Sequence, residues 1–294
     1  MSASVPIEVE LIVLDWDGGD LLTNCLHSIG MQTHPVARVI ILDNGSRLPV
    51  YQRLARNLLS IPYIIIRLDT NLGFTGGINR AMAEVRAPFV GWINNDVVLA
   101  EKWLETLLPA VSGEGKIAGA QSIIVRDKTT VDGAGISVED GTFRQIGHGQ
   151  RVASLRQMNQ PWGISATAAL YRVHALEDAA IGGAILRPDL FAYYEDVELC
   201  ARLRARGWKF KLVPEALAMH RGSASASRLG WSGLRMRVRN RYIVAHAHPG
   251  VGKVSALVAE DLSYAARGLL KGQFRIAMTH LRGAIAGLRQ RKSS

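Results

Sequence analysis

Four apolar runs in the first hundred residues each stop at a polar side chain, and segments with helical spacing separate them. Residues 9–14 (VELIVL) precede a helix-like stretch around 21–29, and residues 38–42 (RVIIL) precede a second. Residues 63–68 (YIIIRL) lead through a Gly-rich turn at 71–77 into a helix over 79–85, and residues 89–93 (FVGWI) follow. Strand, loop, helix, strand is the pattern of right-handed βαβ units, so the chain is expected to build an α/β domain on a mostly parallel, Rossmann-like sheet flanked by helices. In such sheets ligands bind beyond the carboxyl ends of the strands. Those ends carry Asp15-Trp16, Asp43-Asn44, Asn71 and Asn94-Asn95-Asp96, which delivers polar groups from consecutive strands to one edge.

The chain has 294 residues, 48% of them hydrophobic, enough for a sizeable core. Short glycine-punctuated runs at 117–125 and 134–138 read as antiparallel strands, and 194–203 as a helix. Its two cysteines, Cys25 and Cys200, suit a reducing compartment and buried packing positions better than a disulfide or a zinc site. Acids at 8, 10 and 15 interrupt the first apolar stretch, so no signal peptide is expected there, and no window is long enough to span a bilayer. A cytoplasmic location is expected, peripheral on the inner face of the cell membrane.

The net charge of +10 is concentrated late. From Arg228 onward there are 13 of the 35 Lys and Arg but only 2 of the 25 acids, Glu260 and Asp261, which leaves a near-neutral body of 22 basic and 23 acidic residues. Within this segment Val258, Leu262, Ala265 and Leu269 form one helical stripe, and Phe274, Ala277, Leu281, Ala284 and Leu288 a second, with Lys271, Arg275, Arg282 and Arg289 on another face. Residues 1–227 are therefore expected to form one domain and 228–294 a basic amphipathic extension. Two readings of that extension stay open: a helix lying on an anionic membrane surface, and a helix packed on the core with a solvated basic face. Nucleic acid is not expected as a partner, because the basic segment has few interleaved aromatics and no nucleic-acid module.

Two acidic groups are candidates for chemistry. Asp96, in Asn94-Asn95-Asp96 after an apolar strand, could supply a carboxylate to Mg²⁺ or Mn²⁺ with phosphate oxygens completing the shell, although Asn and Asp at a strand end are also ordinary turn formers. Glu195-Asp196-Val197-Glu198 follows Phe191, Tyr193 and Tyr194. Aromatics that exclude water can raise a carboxylate's pKa toward that of a useful base, while acids are also favoured at any helix N-terminus. The turn Asn71-Leu72-Gly73-Phe74-Thr75-Gly76-Gly77 has neither the dinucleotide fingerprint nor a Walker lysine. A lone histidine such as His220 is by itself more often structural than a metal ligand.

Taken in order, these words resemble glycosyltransferase family 2, the inverting transferases of GT-A fold, and in particular its bacterial rhamnosyltransferase-like branch. The matching words are VIILDNGS at 39–46, NLGFTGGINRA at 71–81, WINNDV at 92–97 and YEDVELCARL at 194–203. Arg206-Gly207-Trp208, Val213-Pro214-Glu215 and His220-Arg221-Gly222-Ser223 follow. The resemblance spans residues 8–225 and implies that the 1–227 domain is the catalytic one, of GT-A fold, with a C-terminal helical extension. It further implies that Asp15, Trp16, Asp43, Asn71, Gly73, Gly77, Asn79, Asn94 and Asn95 bind a nucleotide-sugar. It places Asp96 and His220 at a divalent metal and makes Asp196 the catalytic base with Glu195 beside it. The implied activity is inverting transfer from a nucleotide-diphosphate donor, dTDP-rhamnose favoured, to a lipid-linked or polysaccharide acceptor in cell-surface glycan synthesis. UDP-hexose, UDP-N-acetylhexosamine and UDP-galactofuranose donors, or a non-catalytic nucleotide-sugar-binding module, are the alternatives. Three departures bear on specificity: Asn94 stands where Asp is common, the opening word is Trp16-Asp17-Gly18-Gly19, and 184–190 (AILRPDL) is longer than usual and lacks Phe-Asp-Glu.

Overall fold

The computed structural model describes residues 6–55, 59–155, 160–221 and 224–290, with backbone alone for 224–227. The first half delivers the expected alternation: β1 (Val9–Asp15), α1 (Asp20–Gly30), β2 (Arg38–Asp43), α2 (Val50–Arg53), β3 (Tyr63–Arg67), α3 (Gly73–Met82) and β4 (Phe89–Asn94). Strands β3, β2, β1 and β4 lie side by side in that order, all parallel. Next come β5 (Val97–Leu99), α4 (Trp103–Ser112), β6 (Ile117–Val125), β7 (Val131–Gly133), β8 (Ile136–Glu139) and β9 (Thr142–Gln145). They are followed by β10 (Ala168–Arg172), α5 (Val173–Asp178), α6 (Glu195–Ala205) and β11 (Lys209–His220). Antiparallel β10 is inserted between β4 and β6, and β11 runs parallel to β6 with β5 on its far edge. The sheet is thus mixed but mostly parallel.

The central strands read as mainly apolar runs because helices cover both faces of the sheet, and a buried exception, Glu10 of β1, is paired with Arg38. Along β1, Leu11 and Val13 face the core shared with α1 and α4, where Leu22, Leu26 and Trp103 are buried. Ile12 faces the opposite core with Ile78 of α3, Trp92 of β4 and Leu199 of α6. Each fully buried aliphatic side chain contributes roughly 1.5–3 kcal/mol by leaving water. Cys25 and Cys200 are free thiols filling these two cores.

Several elements differ from the sequence reading. The third helix begins at Gly73 rather than Asn79, because the Gly-rich turn itself enters the helix. Residues 117–125 join the main sheet, whereas residues 136–145 form a separate two-stranded hairpin. Beyond β11 run α7 (Ala224–Ala247, kinked at Gly230), α8 (Val254–Leu270) and α9 (Phe274–Arg289).

The buried faces of α8 and α9 are offset from the expected stripes. Leu257, Asp261, Ala265 and Gly268 are buried on α8, while Leu262 and Leu269 are exposed. On α9 the buried residues are Ala277, His280, Gly283 and Gly287, while Phe274 and Leu288 are exposed. Small residues decide this packing: a Cβ on Gly283 would lie 2.6 Å from Val238 Cβ, and one on Gly287 2.6 Å from Tyr242 Cβ, so α7 and α9 meet closely there. Asp261 occupies a buried position because Arg241 Nη2 (2.5 Å), Tyr242 Oη (2.6 Å) and His280 Nδ1 (2.8 Å) surround it. Among the described residues no helix is long and apolar enough to cross a membrane.

Candidate active site

A cavity of about 430 Å³ opens at the carboxyl edge of the sheet. Nine of the thirteen residues singled out from sequence line it: Trp16, Asn71, Gly73, Asn94, Asn95, Asp96, Glu195, Asp196 and His220. The other four, Asp15, Asp43, Gly77 and Asn79, stand behind its wall. Residues 222 and 223 of the His-Arg-Gly-Ser word lie outside the described residues.

Fully buried Asp15, at the end of β1, accepts from Asn95 Nδ2 (2.6 Å), Gly18 N (3.2 Å) and Ser46 Oγ (3.4 Å) and pairs with Arg53. Its charge is thereby balanced inside the protein, and it fixes Asn95 next to Asp96. Gly18 is required here, since a Cβ would fall 2.2 Å from Asp15 Oδ1. Asp43 likewise uses its oxygens inward, on Ser46 N (2.9 Å), Val50 N (3.0 Å) and Arg67 Nη1 (2.6 Å). Burial would raise its pKa, but these donors outweigh it and hold the carboxyl below its ordinary value. Gly77 lets α3 approach the sheet, because a Cβ would lie 2.3 Å from Leu14 Cδ1. Asn79 pins the unusual loop 184–190 with both ends of its amide, Nδ2 to Leu186 O (2.7 Å) and Oδ1 from Leu186 N (2.8 Å).

On the cavity wall Asp96 and His220 are adjacent because β5 pairs with the end of β11. His220 Nε2 lies 3.3 Å from Asp96 Oδ1, while its Nδ1 is 2.7 Å from Asp132 Oδ2. Burial pulls the imidazole pKa down, but the two carboxylates outweigh it and push it up to about 9. The hydrogen bond with His220 is also the main reason the Asp132 carboxyl drops to about 2. Donors about 3 Å apart match neighbouring positions around one cation with bonds of roughly 2.0–2.2 Å. With Nδ1–H donated to Asp132, Nε2 would become a ligand once a bound cation displaces the proton it shares with Asp96. Among the described residues no three His, Cys, Asp or Glu side chains form a group that could hold a metal by themselves.

Glu195 and Asp196 open α6 on another part of the same lining. Glu195 is buried, and its Oε2 has no partner among the described residues. Burial first, then the neighbouring Asp196 charge, raises its pKa. Burial raises Asp196 as well, against the Val197 N–H that donates to Oδ1 at 2.8 Å. The approach to this pair is strained: Phe191, Tyr193 and Tyr194 have φ of 61°, 69° and 68°, a left-handed conformation costing roughly 1–3 kcal/mol for such residues. Two clamps hold it. Thr75 N donates to Phe191 O (3.0 Å), which requires Gly73 (φ 73°), since a Cβ there would lie 2.3 Å from that oxygen. From α7, fully buried Asn240 directs Nδ2 at the carbonyls of Leu190 (2.9 Å), Ala192 (2.8 Å) and Tyr193 (2.8 Å).

Arg228 of α7 donates to Trp16 O and Asp17 O, each at 2.8 Å, and lies over the Trp16 ring; Arg237 lies over Tyr193 at the cavity. Asp132, Arg53, Asn240 and Arg237 were not singled out from sequence. Each sits in an ordinary local context and gains its place from a partner distant in the chain.

The chain is 26% identical over 270 residues to N-acetylglucosaminyl-diphospho-decaprenol L-rhamnosyltransferase of Mycobacterium tuberculosis, covering 82% of this chain and 85% of the relative. The fold is similar to mannosyltransferase PcManGT from Pyrobaculum calidifontis, solved with GDP-Man and Mn²⁺ (TM-score 0.64, 12% identity, 97% of this chain and 88% of that one). It is similar also to GalNAc-T7 solved with UDP, GalNAc and Mn²⁺ (TM-score 0.57, 14% identity), matching 72% of this chain and spanning 43% of that longer one. The architecture is GT-A, with a C-terminal helical region. The model of the family described as "Glycosyl transferase family 2" matches residues 16–179, more than half of the chain. The chain belongs to glycosyltransferase family 2 and is a glycosyltransferase of its rhamnosyltransferase-like branch.

Proposed function

We propose that the protein transfers a sugar, with inversion, from a nucleotide-diphosphate donor to a hydroxyl of a lipid-linked acceptor. dTDP-rhamnose is the favoured donor, in keeping with the L-rhamnosyltransferase relative, whose name also specifies a lipid-linked N-acetylglucosaminyl acceptor. The observation that carries the reading is that one cavity holds both the Asp96–His220 pair and the Glu195–Asp196 pair. Catalysis needs both: charge stabilisation at the leaving diphosphate and a base at the attacking hydroxyl.

Asp196 takes the proton as the acceptor oxygen bonds to the anomeric carbon and the bond from that carbon to the diphosphate oxygen breaks. One displacement inverts the anomeric configuration. Burial and the neighbouring Asp196 charge raise the pKa of Glu195, so in this reading Glu195 keeps its proton and Asp196 serves as the base. Asp96 and His220 would hold Mg²⁺ or Mn²⁺, which when bound neutralises charge on the diphosphate. Trp16, Asn71 and Asn95 line the cavity, and in this reading they contact the donor. Residues 1–227 carry the reacting carboxylates and α7 completes their cavity wall; within 228–294 the helices beyond α7 seat the enzyme peripherally on the inner face of the cell membrane, where a lipid-linked acceptor is presented.

Thermal-shift measurement against dTDP-rhamnose and UDP-sugars, with and without Mg²⁺ or Mn²⁺, tests donor and metal together, since a ligand of the folded state raises its stability. NMR of the product then reads the anomeric configuration. A retained configuration, or no metal-dependent stabilisation by any of these donors, sinks the reading.

A further inference from the structure

One face of α9 is exposed along its length, its far end lying beside Arg235 of α7. Phe274, Met278 and Ile285 are separated by four and seven residues, so they share that face, and all three are exposed. At the turn joining α8 to α9, Leu270 is 88% exposed and Phe274 64%, with Leu269 also exposed beside them. Arg275, Arg282 and Arg289 repeat every seven residues along the flank of this stripe. They and Lys271 are exposed, with no carboxylate partner among the described residues. From Arg228 onward the only acids are Glu260 and Asp261, and both engage Arg241. The outer hairpin surface therefore combines large apolar side chains with cations and carries no carboxylate of its own.

A second copy docking symmetrically would set these cations against one another. A nucleic-acid backbone would neutralise the cations but leave Leu270 and Phe274 in water. An anionic bilayer interface satisfies both groups at once: apolar side chains enter the headgroup–acyl boundary and basic ones meet lipid phosphates. We propose that the α8–α9 hairpin docks on an anionic phospholipid surface, with Leu269, Leu270 and Phe274 inserted and Arg275, Arg282 and Arg289 on the headgroups. The proposal rests on the peripheral placement given above and specifies its surface and lipid class.

The test is co-sedimentation of the full chain with phosphatidylcholine vesicles with and without phosphatidylglycerol, needing neither donor nor acceptor. Unaltered protein should bind only the anionic vesicles. Leu270→Ser with Phe274→Ser should weaken binding about tenfold or more at unchanged Tm, both side chains being exposed. Arg275→Gln, Arg282→Gln and Arg289→Gln together should cost on the order of a hundredfold, about fivefold per cation. Failure to bind anionic vesicles, equal binding to both compositions, or undiminished binding by the serine variant overturns the proposal. So does a dimer in solution that the serine variant dissolves, which would make a second copy the occupant. Transfer to a short, water-soluble acceptor should survive in every variant; vesicle binding by protein inactive on every donor would refute the transferase reading and leave the docking surface standing.

Discussion

The side-chain amide nitrogen of Asn240 in α7 lies 2.8 Å from the carbonyl oxygen of Tyr193, two residues ahead of Glu195. With Leu190 and Ala192 on the same nitrogen, a single side chain from the C-terminal helices holds the strained approach to the acidic pair. The extension is thus built into the cavity wall, and its removal would disturb more than a surface contact.

Asn240→Ala leaves three carbonyls without this donor, a loss of roughly 1–3 kcal/mol in a buried setting. A lower Tm is expected, together with a kcat reduced on the order of ten- to a hundred-fold, because small displacements of a base are costly. The donor KM should stay within about twofold, since the nucleotide side is carried by other elements. Asn240→Asp should be worse than alanine, because a carboxylate would face three carbonyl oxygens. Steady-state kinetics with calorimetry decide; a rise in donor KM at unchanged kcat would contradict the positioning role.

Asp196→Asn should cut turnover by about 10²–10⁴-fold, the range a positioned base contributes. Donor binding by titration calorimetry should be nearly unchanged. Near-normal turnover would remove Asp196 from the role.

Asp132→Asn weakens the partner that orients His220. Metal-dependent donor affinity should fall about 10–100-fold, the usual effect of losing such an outer-shell carboxylate. Asp96→Ala should abolish the metal dependence of donor binding altogether. Titrations run with and without Mn²⁺ separate the two, and identical curves for Asp96→Ala and the unaltered protein would exclude Asp96 as a ligand.

Glu195 makes stability depend on pH with a definite sign. Its carboxyl titrates near 4.5 when exposed and rises toward about 8 when buried beside Asp196. Between those values the folded state binds more protons than the unfolded one, so Glu195 stabilises below about 4.5 and this contribution is lost as pH climbs toward 8. Glu195→Gln should flatten that decline and melt a few degrees higher than the unaltered protein at pH 8. Parallel melting curves for the two proteins across this range would show that Glu195 titrates normally.

The sheet and its functional edge are legible in the amino-acid order because their cause is local. Strands buried on both faces are mostly apolar, as in β1 and β2, and polar side chains collect just beyond their ends. Asp96 stands out on that basis, Glu195, Asp196 and His220 only through the family words around them, and all four line one cavity. Asp15 and Asp43 end strands in the same way, yet their oxygens face inward onto Arg53 and Arg67, pairings that no local pattern signals. Asp132 reaches His220 across 88 residues and Asn240 reaches Tyr193 across 47. The outward face of α8 and α9 is likewise hidden in the sequence: helical periodicity groups apolar residues, but Gly283 and Gly287 determine which side can approach α7. Periodicity and strand ends set the fold and place the edge; which carboxylates stay free for chemistry is decided only when distant charges are brought together.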